Sequence, residues 1–194
     1  FQIPFVPHLG IVILFLFSVV FSSCKMGQRE TLTEQQEKEF VTQGDSISDI
    51  MQGVLLKNVA TAINHGGTEF AIGFCNMNAI PITDSVSALY HVQIQRLSNK
   101  NRNPDNAIRM LDDSLAWQKI KSSSSSFVEQ NSSGEVVYYK PIKIGMPTCL
   151  KCHGSSADIE TKTLALINEK YPVDKAVGYN QDDLRGMWKI KFKE

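Results

Sequence analysis

Two cysteines spaced two residues apart and followed directly by a histidine constrain this chain more than any other feature. The segment is Cys149-Leu150-Lys151-Cys152-His153. Thiols at this spacing can add across the two vinyl groups of one haem, and the adjoining imidazole can bind the iron from the proximal side. The motif therefore predicts one covalently bound c-type haem, with Cys149 and Cys152 as attachment residues and His153 as proximal axial ligand.

Two other kinds of site also use closely spaced cysteines. A structural zinc site has four protein ligands, and the sequence contains no second C-x-x-C and no H-x-x-x-H pair. A thioredoxin-like redox pair is not usually followed by histidine. Haem attachment is therefore favoured over both alternatives.

The composition is that of one globular domain. The chain has 194 residues, 42% hydrophobic and 21% charged, with 20 basic and 20 acidic residues. A chain of this length can bury its own core. Because its lysines and arginines are dispersed and balanced by acidic residues, it has no basic surface of the kind that attracts nucleic acids, and we expect no nucleic-acid partner.

The N-terminal segment predicts export. A largely apolar run from Ile11 to Phe21 ends in Ser22-Ser23-Cys24 and is shorter than a comfortable membrane span. Small residues before a cysteine resemble the lipobox of bacterial lipoproteins, in which the cysteine is acylated. We expect a lipoprotein signal at 1–24, a tether at 25–32 and a single haem domain at 33–194. An uncleaved N-terminal membrane helix is the alternative.

Cysteine usage agrees with export. Of Cys24, Cys75, Cys149 and Cys152, two are assigned to haem and one to lipid, so Cys75 has no disulfide partner. An unpaired thiol in an oxidising compartment calls for another role, of which the ordinary one is that of a small buried apolar residue. Haem is also attached to c-type cytochromes outside the bacterial cytoplasm. We therefore expect a periplasmic or cell-envelope lipoprotein of a bacterium, in contact with the membrane only through its lipid.

Helix signals dominate the first half of the chain. Thr31-Leu32-Thr33-Glu34-Gln35-Gln36 contains two overlapping capping boxes. A helix is expected from there to about residue 64, because His65-Gly66-Gly67 is a typical C-terminal stop. Further helices are predicted at 68–79, at 81–89, from Pro104 with an apolar face of Ile108, Leu111 and Leu115, and at 159–170.

Strand signals come mostly later. Alternating apolar and polar residues predict a strand at 91–97, and a hairpin is expected around Ser132-Ser133-Gly134, its second strand reaching about residue 144. A last strand is predicted at 187–192. Since strands and helices do not alternate regularly, the expected class is α+β with an antiparallel sheet, the haem lying against the sheet under the N-terminal helices.

Five groups of residues carry a resemblance to a known family. They are Ala71-Ile72-Gly73-Phe74-Cys75; Arg96-Leu97-Ser98 with Arg102-Asn103-Pro104-Asp105-Asn106; Cys149-Leu150-Lys151-Cys152-His153-Gly154; Tyr171-Pro172 with Asp174, Ala176 and Gly178-Tyr179; and Asp183-Leu184-Arg185-Gly186. In this order they resemble the Tll-like haem domain, formerly a domain of unknown function, which occurs as stand-alone exported proteins and as sensory modules of histidine kinases.

The resemblance implies a PAS-like fold holding one c-type haem between an imidazole and a thiolate. It assigns the proximal position to His153 and the distal one to Cys75, and so gives the unpaired cysteine a role, because bound iron keeps a thiol deprotonated at neutral pH. One departure is Gly178-Tyr179-Asn180-Gln181-Asp182-Asp183, where the family commonly has a glycine before the aspartate. We expect this loop to be shaped differently.

Ligand identity separates the possible functions. A thiolate favours ferric iron and a low reduction potential, whereas methionine raises the potential. With His153 and Cys75 both bound, we expect a redox or gas sensor in which reduction releases the thiol and opens a position for CO or NO, the signal passing to an unidentified protein. The alternatives are a periplasmic electron carrier with Met77 or Met146 as ligand, and a peroxidase-type enzyme. Only His91 is a distal candidate for the latter, and we expect no enzyme activity.

Two arginines are candidates for the haem propionates. A guanidinium group matches a carboxylate with two parallel hydrogen bonds, which favours Arg102 and Arg185 for this role. A turn-fixing hydrogen bond explains Arg102 equally well, and a surface position explains Arg185 equally well.

Overall fold

The computed structural model of the chain describes residues 1–2, 31–131 and 133–193. Thr31–Glu194 form one compact unit. Most of the expected signal at 1–24, the acylated Cys24 and most of the tether at 25–32 fall on residues outside the described ones. Within the described residues, no helix is long and apolar enough to cross a membrane.

Helix α1, Glu34–Leu89, begins at one of the two predicted capping boxes. Thr33 is its N-cap: the Thr33 hydroxyl accepts the Gln36 N–H at 3.3 Å, and the Gln36 side-chain oxygen accepts the Thr33 N–H at 2.9 Å. This reciprocal pair satisfies two backbone donors that a helix start otherwise leaves without partners. The predicted start of the first helix is therefore confirmed.

The predicted stop of the first helix is also confirmed, but the next boundary was wrong. Gly66 and Gly67 leave helical geometry, Gly67 with φ 74°, so α1 consists of a part at 34–65 and a part at 68–89. The second part continues through Pro81, where a break was predicted. A proline removes the hydrogen bond to the carbonyl four residues before it, and its ring crowds that carbonyl. Here the buried Ile72 and Val86 on either side hold this part of the helix in the core.

Among the described residues, four strands form one antiparallel sheet. They are β1 (Val92–Leu97), β2 (Phe127–Gln130), β3 (Val136–Lys143) and β4 (Leu184–Phe192), and they lie in the order β1-β4-β3-β2. The C-terminal strand therefore fills the middle of the sheet, between β1 and β3. The predicted α+β class with an antiparallel sheet is confirmed.

Both faces of the sheet are covered. On one face Tyr138 packs with Ile47 and Met51 of α1. On the other, Val137 and Tyr139 pack against α2, Leu111–Ser123. Because neighbouring residues of a strand point to opposite faces, burial on both sides explains why this strand is apolar throughout its first half.

The helix predicted from Pro104 was wrong in its start and in its apolar face. Pro104–Asn106 form only a turn of 3-10 helix, and the backbone N–H of Ser98 donates to Asn106 O at 2.8 Å, which ties this segment back to β1. The chain therefore becomes helical only at Leu111, which is 73% exposed. The buried face of α2 is made by Ala116, Trp117 and Ile120 instead.

Two short helices complete the fold. They are α3, Pro147–His153, which contains the cysteine–histidine motif, and α4, Thr161–Lys170, which confirms the helix predicted at 159–170. Helix α4 packs on the second part of α1 through Ile167 and Ile72. The buried hydroxyls of Thr68 and Thr163, 2.6 Å apart, join the same two helices.

One close approach fixes α1 on the sheet. A Cβ atom at Gly44 would overlap the ring of Tyr138. The Tyr138 hydroxyl donates to the Asp45 carboxylate at 2.5 Å and lies 3.3 Å from the Ser48 hydroxyl. The Tyr138 side chain is therefore held by its hydroxyl, and its ring packs against Gly44.

We expect Gly44→Ala to destabilise the fold by about 1–3 kcal/mol through overpacking. This would be measured as a lower midpoint of thermal unfolding of the intact protein.

Gly53→Ala is the matched control for this substitution. Gly53 lies on the same helix but is exposed, and a Cβ atom there meets nothing within 4 Å. Replacing an exposed helical glycine by alanine should stabilise by up to about 1 kcal/mol. Equal unfolding midpoints for the two variants would show that Tyr138 does not limit the approach of α1.

Candidate cofactor site

The cysteine–histidine motif lies on α3, a helix of seven residues. Cys149 and Cys152 are both partly buried and unpaired, and their spacing of three places them on one side of the helix. Gly154 directly follows the motif, and a Cβ atom there would lie 2.7 Å from Leu150 O and from Asp158. A glycine is thus required where the helix ends and the chain turns away.

The imidazole of His153 is oriented by one backbone carbonyl. Its Nδ1 lies 2.7 Å from Ala176 O, so Nδ1 carries the proton and donates, and Nε2 is left with a free lone pair. Burial holds the pKa of His153 well below its ordinary value, and the nearby Arg185 and Arg102 lower it further. The ring is therefore neutral, with Nε2 available, which is the form that binds a metal ion.

The loop around Ala176 is fastened to the motif by its backbone. Tyr179 N–H donates to His153 O at 3.0 Å, and Gly178 N–H donates to Gly154 O at 2.7 Å. Gly178 has φ 73°, in the left-handed region that glycine adopts without strain. In the part expected to depart from the family, Asn180 N–H donates to the Asp183 carboxylate at 2.6 Å.

Arg102 connects the motif to this loop. One of its terminal nitrogens, Nη2, donates to Cys152 O at 2.7 Å and to the Asp174 carboxylate at 3.0 Å. The other Asp174 oxygen accepts Ala176 N–H at 2.8 Å. The Arg102 and Asp174 side chains are 11% and 5% exposed. Arg102 therefore binds protein groups and helps to place the carbonyl that orients His153, and its predicted contact with a propionate stays a prediction.

Arg185 is the second arginine singled out by the sequence. Its Nη1 donates to Lys100 O at 3.1 Å, and its Nε is buried without a hydrogen-bond partner among the described residues. Its guanidinium lies 5.5 Å from the centre of the Tyr179 ring. Burial lowers the pKa of Arg185 to about 10. Arg185 therefore lies next to Tyr179, whose backbone N–H is bonded to His153 O.

Cys75 lies beside the motif although 74 residues separate it from Cys149. It sits on the second part of α1 and is partly buried. Burial raises the pKa of Cys152, and Cys75 is close enough to raise it further. Burial raises the pKa of Cys75, whereas the positive charges of Arg96 and Arg102 lower it. The structure thus places Cys75 beside Cys152, the residue that precedes His153 in the motif.

Arg96 also belongs to this site, and sequence reasoning gave it no role. Burial lowers its pKa, and Cys75 and Tyr171 are the groups that oppose this effect. A signal was present in the strand pattern: Val92 and Ile94 are buried on one face of β1, and Arg96 occupies the next position on that face. An arginine where the alternation calls for an apolar residue is the feature that could have identified it.

The candidate ligands of the alternative functions, the electron carrier and the peroxidase, are all exposed. Met77 is 70% exposed, and, two residues after Cys75, it points to the opposite side of the helix. His91 is exposed and precedes β1, roughly 16 Å along the strand from Arg96. Met146 is 42% exposed at the N-cap of α3. Within the described ranges, no three His, Cys, Asp or Glu side chains converge as a metal site, so the four ligands of a structural zinc site are not assembled there.

Comparison with known proteins identifies the family. No curated protein matches the chain. The crystal structure of the cyanobacterial heme-protein Tll0287 matches with a TM-score of 0.60 and 23% sequence identity, over 80% of this chain and 96% of that chain, which shows a shared fold. The model of the Tll0287-like family matches residues 27–192, which include α1, the sheet and the cysteine–histidine motif. The resemblance found in the sequence motifs is confirmed: the chain belongs to the Tll0287-like family.

Proposed function

We propose that this chain is an exported single-haem c-type cytochrome that acts as a redox or gas sensor. In this proposal Cys149 and Cys152 hold the haem covalently, and His153 and Cys75 are its axial ligands. The solved relative Tll0287 is a heme-protein, and this chain shares its family and carries the motif of covalent haem attachment. We assign no enzyme activity to it.

One observation carries the proposal: the hydrogen bond from His153 Nδ1 to Ala176 O, 2.7 Å long. A histidine that binds iron through Nε2 typically donates its other ring N–H to a carbonyl or carboxylate, which fixes the ring and strengthens the ligand. His153 already has this arrangement at the end of the attachment motif. The haem would supply an iron that changes oxidation state, and the protein would supply the ligands and their orientation.

Cys75 is the proposed second ligand because of its neighbours. It lies beside Cys152. Burial raises the pKa of the Cys75 thiol and the positive charges of Arg96 and Arg102 lower it, and bound iron would hold the thiol deprotonated. Met77, the nearest methionine in sequence, is mostly exposed on the other side of α1. A thiolate ligand gives a low potential, which favours a sensor over an electron carrier.

In the proposed sensor, Cys75 is the element with two states. Cys75 would hold the iron as a thiolate. When an external one-electron donor reduces the iron, Cys75 would take up a proton and dissociate as a thiol, which would leave a position for CO or NO. Cys75 lies on the part of α1 that packs against both α4 and the sheet, through Ile72 and Val86. Its release therefore acts on elements beyond the site, where an unidentified partner protein would detect the change.

The first test replaces the proposed thiolate ligand. We expect Cys75→Ala to abolish the low-spin thiolate-type EPR signal of the ferric protein and to raise the reduction potential by on the order of 0.1 V, because axial ligands set haem potentials over a wide range. The variant should bind CO faster after reduction, since no ligand competes for the position. Absorption, EPR and spectroelectrochemistry of the haem-loaded protein measure these effects.

Met77→Leu and Met146→Leu are the controls for this test. Neither should change the spectra or the potential. An unchanged ferric spectrum in Cys75→Ala would exclude thiolate ligation. If one of the methionine variants changed the spectrum instead, the electron carrier would replace the sensor as the proposed function.

The second test addresses covalent attachment. We expect haem to stay with the wild-type chain in a denaturing gel and to be lost from the double variant with alanine at Cys149 and Cys152, because two thioether bonds hold it. Cys75→Ala should keep its haem in the same gel, since this cysteine binds iron only. Haem that is lost from the wild-type chain under these conditions would contradict c-type attachment.

The third test addresses location. We propose that the protein is exported to the bacterial periplasm or cell envelope and anchored only by acylation of Cys24. Mature protein from the native host should begin at Cys24 and carry the mass of added acyl chains. An intact, unmodified N-terminal segment in the mass spectrum would contradict both cleavage and acylation.

A further inference from the structure

The guanidinium of Arg96 occupies a core-facing position in the sheet, where it needs a hydrogen-bonding or charged partner. Arg96 follows the buried Val92 and Ile94 on one face of β1. It is paired in register with Trp188 of β4, which belongs to the core on that face. A guanidinium in a core-facing position loses its hydration and is stable only when other groups replace it.

The described residues do not provide that partner. No hydrogen bond or ion pair joins the Arg96 guanidinium to another residue in the described ranges, although Cys75 and Tyr171 are near enough to affect its charge. Arg96 lies deep enough for burial to dominate its pKa, yet the residue keeps accessible surface. Arg96 is thus a core-facing guanidinium that has no protein partner among the described residues and is still partly accessible to a bound group.

The charges around Arg96 and His153 are unbalanced. Arg96, Arg102 and Arg185 all act on the imidazole of His153. Only one carboxylate, that of Asp174, is ion-paired within the group, and it is bonded to Arg102. Arg96 and Arg185 are therefore two partly buried cations without a carboxylate partner among the described residues. A guanidinium that is largely removed from water is unfavourable when it is unpaired, so these two side chains are suited to a bound group that carries carboxylates.

We propose that Arg96 binds a propionate carboxylate of the haem, an inference that rests on the proposed function. In haem the two propionates lie on the edge away from the vinyl groups, which the Cys149 and Cys152 thiols occupy. The Nη2 atom of Arg102 already donates to protein oxygens, whereas the whole fork of Arg96 is unused. A guanidinium group can donate two parallel hydrogen bonds to one carboxylate. The propionate would thereby neutralise the charge of Arg96.

The test reads the propionates directly. Haem-loaded protein would be produced from aminolevulinate labelled with 13C at its carboxyl carbon, and infrared difference spectra would be recorded between the oxidised and reduced states. We expect Arg96→Gln to shift the isotope-sensitive bands of one propionate and to lower the reduction potential, because a carboxylate that has lost its cation favours ferric iron. Arg96→Lys, which keeps the charge and loses the fork, should give a smaller change in both.

Arg109→Gln is the matched control. Arg109 is exposed and donates only to Pro104 O, at 2.9 Å, so its loss should leave the bands and the potential unchanged. If Arg96→Gln does not fold, Arg96→Lys, which keeps the positive charge, takes its place. A shift of the isotope-sensitive propionate bands in Arg96→Lys would support the inference, and unchanged bands would contradict it.

Two results would overturn the inference, and a third concerns the proposed function instead. Unchanged isotope-sensitive bands in a haem-loaded Arg96→Gln protein would show that this arginine does not bind a propionate. Loss of the thiolate EPR signal with unchanged propionate bands would show that Arg96 acts on Cys75 instead. A wild-type chain without attached haem would mean that the proposed function itself fails.

Discussion

The orientation of one imidazole depends on the carbonyl of Ala176, and much of the structure serves to hold that carbonyl in place. Helix α3 has seven residues, too few to be stable alone, so its position is set from outside. Arg102 and Asp174 provide this support by joining Cys152 O to the backbone of Ala176. The support comes from three distant parts of the chain, and a chain that lacks any one of them would present His153 differently.

Helix α1 performs the corresponding task for Cys75. Its first part is fixed on the sheet by Ile47 and Met51, and its second part is anchored by Ile72 on α4 and by Val86 on the sheet. Cys75 lies between these last two anchors. Glycines at 66 and 67 let the two parts take separate directions, so that one helix can cover the sheet and still bring a thiol to the cysteine–histidine motif.

Local signals in the sequence were sufficient where the structure is decided locally. The capping box at Thr33 and the glycine stop after His65 involve residues close in sequence, and both were predicted. The helix predicted from Pro104 does not form there because the N–H of Ser98, directly after β1, donates to Asn106 O. The packing of α2 likewise depends on Val137 and Met187, far along the chain, and no periodicity within α2 contains that information.

The site shows the same division between local and distant information. Spacing alone identified Cys149, Cys152 and His153, whereas Cys75 came from the family resemblance, because its approach to the motif spans 74 residues from Cys149. The support given by Arg102 could not be predicted, since its partners lie 50 and 72 residues away.

Arg96 is a different case. The alternation of β1 in the sequence already places it on the same face as Val92 and Ile94, but the sequence analysis did not connect that position with a function. A cation at a core position contradicts the pattern around it, and such contradictions are expected at functional sites. Together with Arg185 it leaves two partly buried guanidinium groups without a carboxylate partner among the described residues. If the proposed function holds, a cofactor with two carboxylates would neutralise this charge, and the polypeptide without haem would carry a destabilising cluster. In the proposed cytochrome, haem attachment would then contribute to folding as well as to function.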